Sequence, residues 1–184
     1  MILSADAPLT NRVKAKGVLS WEELKTYVAA LPYRRTAYPG DISLVISEGC
    51  GTCSGKHAVL AEIARENAIP NVRLMVSIFQ MNGESHPILR EILEDSRLNY
   101  IPEAHCYLLE NGRMVDCTRK GSFTSDFERR ILDSRELFHP ENVAAEKTAY
   151  HRHFLEKWRK AQALPYAFED LWRIRERCIG LLSK

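Results

Sequence analysis

Asn111-Gly112 stands between two short runs of strand-forming residues, 104–109 and 113–118. An Asn-Gly pair accepts the positive φ angles of a two-residue turn, so the runs are predicted to form one antiparallel hairpin. A turn centred on that pair sets Tyr107 opposite Asp116 and His105 opposite Thr118. Opposed residues share a face, and diagonal neighbours on it lie about 7 to 8 Å apart at the backbone. His105 and Asp116 are therefore within side-chain hydrogen-bonding reach, and a slip of one residue would part them. A buried carboxylate on an otherwise apolar strand demands a partner, and His105 is the nearest. Tyr107 shares this face and reads as a packing residue. Cys106 and Cys117 fall on the other face and read as chemically quiet core.

Upstream, the run 42–46 is short and β-branched and predicts a strand, followed by a glycine-bearing bend at 48–52 and a helix from Cys53 to Asn67. A cysteine in the first turn of a helix meets unpaired backbone N–H groups and the positive end of the macrodipole, which favour thiolate over thiol. A thiolate attacking an amide also needs a proton donor for the leaving amine and a group to fix that donor. The hairpin supplies both in His105 and Asp116. Other readings of the same residues stand beside this one. Cys53 also reads as a small buried hydrophobe. Cys50-Gly-Thr-Cys53 also has the layout of a redox pair. Cys50 and Cys53 with His57 or His105 have zinc-ligand chemistry but lack a second pair at ordinary spacing. A phosphate-loop pattern around Gly55-Lys56 fails, because Cys50 and His57 occupy its first and last positions. His57, one turn after Cys53, reads as a helix-face residue.

Ser20 and Glu23 form a capping box that opens a helix with Trp21, Leu24, Tyr27, Val28 and Leu31 on its apolar positions, stopped by Pro32. A strand is predicted over 72–79 and a helix over 88–93. From 125 onward the pattern is helical. One stripe joins Val143, Tyr150, Phe154, Trp158 and Ala161; after Pro165 another joins Phe168, Leu171, Trp172, Cys178 and Ile179. His151, Arg152, His153, Lys157, Arg159 and Lys160 surround the first stripe and read as its solvated face.

The chain has 184 residues, 45% of them hydrophobic and 27% charged, which predicts a single domain over 1–184. Its catalytic-like core is expected at about 40–120 and a helical C-terminal cover at about 125–184. A net charge of +2 gives no pull toward nucleic acid, so no nucleic-acid partner is expected. With no apolar run of signal or membrane-span length, the expectation is a cytoplasmic protein without a membrane partner. Five cysteines, an odd number, then point to reduced thiols used for chemistry.

Taken together, GTCSGKHAVLAEIARENAI, VRLMVSI and EAHCYLLENGRMVDCT resemble the transglutaminase-like family of the papain-like cysteine hydrolase superfamily. The resemblance implies an α+β fold in which a helix carrying the cysteine packs on an antiparallel sheet, with extra helices at both ends. It carries the nucleophile onto Cys53, the general acid/base onto His105 and the orienting carboxylate onto Asp116, which Thr118 follows. It implies a peptide, protein or small-molecule amide as substrate, and no cofactor or metal. Ser47 stands where a papain-type Gln would, so an oxyanion donor beyond the Cys53 N–H has to come from elsewhere. The alternatives are a thioredoxin-like thiol-disulfide oxidoreductase using Cys50 and Cys53, or a catalytically inactive binding domain of the same fold. The hydrolase reading is preferred because a redox pair has no use for an apposed His105 and Asp116.

Overall fold

The computed structural model describes residues 1–121 and 125–182; the last two positions of the expected C-terminal cover, 183 and 184, lie outside them. In chain order the helices are α1 (Pro8–Lys14), α2 (Trp21–Ala30), α3 (Leu44–Ser47), α4 (Cys53–Glu66), α5 (Arg90–Asp95), α6 (Ser125–Arg129), α7 (Val143–Ala161) and α8 (Phe168–Leu182). The strands are β1 (Val72–Asn82), β2 (Tyr100–Glu110), β3 (Arg113–Val115) and β4 (Ile131–Glu136), joined antiparallel in the order β3-β2-β1-β4. This is an α+β fold.

The hairpin forms in the expected register, with Glu110 opposite Arg113, Leu109 opposite Met114 and Leu108 opposite Val115. Asn111 and Gly112 both take positive φ, 51° and 77°, as the tight turn requires. Pairing stops at Val115, so Asp116 leaves the ladder while β2 runs on past it.

Two segments depart from the sequence reading. The run 42–46 is no strand; its second half enters the single-turn helix α3, whose start is set by Asp41 Oδ1 accepting the Ser43 N–H at 2.9 Å. Val45 and Ile46 bury against the core from that turn, and tertiary burial overrides their β propensity. Nor is the region after 125 wholly helical: β4 pairs along β1 from Met75 to Phe79. Its sequence, ILDSRE, has no clear alternation, because an edge strand with charged side chains needs little apolar surface and resists pairing with other chains.

One core lies between α4 and the sheet, where Val59, Leu60 and Ile63 meet Leu74, Val76, Ile78, Ala104, Cys106 and Leu108. The strand period of two sets these sheet residues on one face. A second core gathers Met81, Leu89, Ile101, Leu155, Trp158, Leu171 and Cys178, seating α7 and α8. α8 is also tied to β2 by a bidentate ion pair, Arg175 to Glu103, with both bonds at 2.6 Å and both side chains largely buried. Among the described residues no helix is long and apolar enough to cross a membrane.

Candidate active site

Cys53 is the first residue of α4 and is 3% exposed. The N-cap residue Thr52 makes no side-chain cap bond, so the orphan N–H groups of the first turn face whatever negative charge lies there. Three groups converge on its sulfur. The Lys147 ammonium, from α7, donates to Sγ at 3.2 Å, and the Cys106 thiol and the His105 imidazole lie close enough to act on its charge. The Cys106 thiol, helped by the Lys147 and His105 charges, outweighs burial and holds the Cys53 thiol well below its ordinary value. The neighbouring Cys53 sulfur and burial push the Cys106 thiol well above the ordinary thiol range.

His105 Nε2 lies 2.9 Å from Asp116 Oδ2, leaving the other ring nitrogen for Cys53. Burial alone would lower the imidazole pKa, but the Cys53 thiolate and Asp116 override it and raise it to about 10. Asp116 is fixed from its other oxygen by the Thr118 N–H at 2.8 Å. Burial works against its charge, yet His105 and Thr118 hold the carboxyl far below its usual range. Cys53, His105 and Asp116 therefore lie together, with the shifts favouring a charged sulfur, a charged ring and a charged carboxyl. The structure brings together all three residues expected from the sequence.

His57 is the first functional residue that the sequence reading misplaced. It is no helix-face residue: it is 0% exposed, its Nδ1 lies 2.8 Å from the Cys53 carbonyl oxygen, and its Nε2 accepts the Cys117 N–H at 2.7 Å. These partners fix the proton on Nδ1 and make the ring neutral. Burial pushes its pKa down to about 4, so the 3.5 Å approach of Nε2 to Asp116 Oδ1 is not an ion pair. His57 thus staples the turn that carries Cys53 to the segment that carries Asp116.

Cys106 is core, as expected, and burial and the Cys53 sulfur hold its thiol protonated; α4 sits on its face of the sheet, so it also borders Cys53. Cys117 remains quiet, its thiol raised to about 11 by burial. Tyr107 is a packing residue, its hydroxyl 3.0 Å from Ser77 Oγ. His151 leaves the supposed solvated face; it is buried and bonded to the Pro102 carbonyl oxygen at 2.8 Å.

Tyr33 and the charge state of Lys147 complete the surroundings. Tyr33 runs beside Gly51, and the charge on Cys53, with burial, keeps its phenol firmly protonated. Lys147 is held as a cation against burial by Cys53, Cys106 and Glu103. Cys50 turns elsewhere, its sulfur 4.0 Å from Glu48 Oε2 and near enough to the Arg34 guanidinium to act on its charge. All five cysteines are free, and among the described residues no group of three His, Cys, Asp or Glu side chains is placed to hold a metal. Comparison with known protein families, curated proteins and solved structures finds no match to this chain.

Proposed function

We propose that the protein is a transglutaminase-like, papain-type cysteine acyltransferase or amide hydrolase that works through a thioester on Cys53. The observation that carries this reading is the 2.9 Å bond from His105 to Asp116, with Cys53 as the other partner of the imidazole at the start of α4. In this mechanism the Cys53 thiolate forms a bond to an amide carbonyl carbon, and the carbonyl π pair moves onto oxygen. The Cys53 N–H supplies one donor to that oxyanion, and the Lys147 ammonium, which donates to the Cys53 sulfur at 3.2 Å, supplies a second. As the pair returns, the C–N bond breaks and His105 gives its proton to the departing amine. Water or an amine, losing a proton to His105, then attacks the thioester and releases the sulfur as thiolate.

The oxidoreductase reading has less support, because the Cys50 sulfur is engaged by Glu48 and Arg34 and the groups on Cys53 suit acyl chemistry. p-Nitrophenyl acetate tests the proposal. The expected result is a burst of nitrophenolate with one acetyl group on Cys53, lost in Cys53→Ala and slowed about 10²- to 10⁴-fold in His105→Ala. Equal acylation of wild type and His105→Ala would overturn it.

A further inference from the structure

Of the three residues Cys53, His105 and Asp116, His105 is the most open: its side chain is 19% exposed against 8% for that of Asp116. Three rings bracket the imidazole. His57, on α4, stands 6.4 Å away between centroids, and Phe79, on β1, stands 6.3 Å away. Phe127, on α6, is nearer, at 5.3 Å and inclined at 69°, within the range of a favourable edge-to-face pair.

The surroundings of Phe127 distinguish it from an ordinary packing residue. It joins neither hydrophobic core, the one under α4 or the one that seats α7 and α8. On the five-residue α6, Asp126, Glu128 and Arg129 are exposed, and Phe127 is the side chain turned inward among those described. What it turns toward is the His105 face of the sheet. Ser77 pairs with His105 and side chains alternate along a strand, so Phe79, His105 and Tyr107 share that face. Phe127 meets all three, Phe79 at 5.1 Å and Tyr107 at 6.2 Å between ring centroids.

This contact bears on the chemistry. A phenyl ring makes no hydrogen bond that competes for an imidazole nitrogen, so Nε2 stays with Asp116 and the other nitrogen with Cys53. Its bulk beside the imidazole also limits swinging of the ring and keeps water away. Opposite charges attract about fourfold more strongly at an effective dielectric of about 20 than at about 80, so water exclusion matters to groups held this close. The titratable groups facing His105 are Cys53 and His57 from α4 and Asp116 from the segment after β3. α6 brings an apolar ring instead, while its own charges face solvent.

We propose that Phe127 is a positioning residue for the reaction: packed on His105, it holds the imidazole between Asp116 and Cys53 and excludes water from that contact. The inference rests on the acyl-transfer reading of Cys53 and goes beyond it by giving α6 a part in the site.

Phe127→Leu and Phe127→Tyr test it, the first removing the ring and the second keeping it. In Phe127→Leu the nitrophenolate burst is expected to slow by on the order of tenfold, and in Phe127→Tyr to recover most of the wild-type rate. The readout that packing alone would not move is the His105 titration by ¹⁵N NMR in the folded protein. In Phe127→Leu it is expected to move from about 10 toward the unperturbed 6.5, as the ring loses its hold on its two partners. Phe127→Met serves the same comparison if Phe127→Leu does not fold. A ring-less variant that acylates at the wild-type rate or faster, or that slows while His105 titrates as in wild type, overturns the inference and leaves the acyl-transfer reading standing. A wild-type protein whose Cys53 takes no acetyl group overturns both.

Discussion

The helix side and the hairpin side of Asp116 each present a histidine to it, and the two rings lie only 6.4 Å apart between centroids. On the helix side, His57 spends both nitrogens on backbone groups of Cys53 and Cys117 and is held neutral, down at about 4. On the hairpin side, His105 has a carboxylate on one nitrogen and a thiolate on the other and is held charged, up at about 10. Burial disfavours the charged ring in both places, so proximity to Asp116 does not decide the outcome. The partners do. Backbone dipoles leave desolvation in control, and two anions overcome it. One histidine is thereby held between two acidic groups, and the other holds the two halves of the site in register.

The comparison is broken most severely at its shared centre. Asp116→Asn removes the acceptor that orients His105, and acylation of Cys53 is expected to fall about 10³-fold or more, read as the nitrophenolate burst rate. His57→Gln acts on the other limb and on a different readout. The folded ring resists protonation between its unperturbed 6.5 and about 4, so wild-type stability is full above that window and declines as pH falls through it. That decline amounts to about 3 kcal/mol and is expected to vanish from denaturation curves of His57→Gln. The same variant is expected to be less stable at neutral pH, since it orphans the Cys117 N–H or the Cys53 carbonyl. Smaller again is Lys147→Met, which removes one cation from the thiolate. Iodoacetamide alkylation of Cys53 near neutral pH is expected to slow about tenfold, with Lys147→Arg retaining much of the rate. The smallest effect is reserved for Cys50→Ser, which is expected to leave that alkylation rate unchanged because its sulfur faces Glu48 and Arg34.

The hairpin and the place of Cys53 at a helix start were legible in the sequence because their causes are local. Asn111-Gly112 sets a register, the register sets the faces, and Cys53 follows a bend that opens a helix. What the sequence reading missed comes from distant packing, as with Lys147, which meets Cys53 across 94 positions of chain. A signal was nevertheless present. Lys147 and His151 interrupt the apolar stripe of α7 between Val143, Tyr150, Phe154 and Trp158, and Arg175 sits between Leu171 and Cys178 on α8. A charge at helical spacing among core residues needs a buried partner, which is what Lys147 finds in Cys53 and Arg175 in Glu103. β4 carried no comparable signal, since its place at the sheet edge follows from the backbone of β1 rather than from its own side chains.

The most direct measurement is a ¹⁵N NMR titration of the two rings, His57 and His105, from about pH 5 to about pH 11, in wild type and in Cys53→Ala. The expected result is a His105 that stays imidazolium through neutrality and loses its proton near 10, falling to a lower value once the thiolate is gone, while His57 stays a neutral Nδ1–H tautomer throughout. A His105 that titrates near its unperturbed 6.5 whether or not Cys53 is present would contradict the thiolate–imidazolium pair on which the proposed chemistry depends.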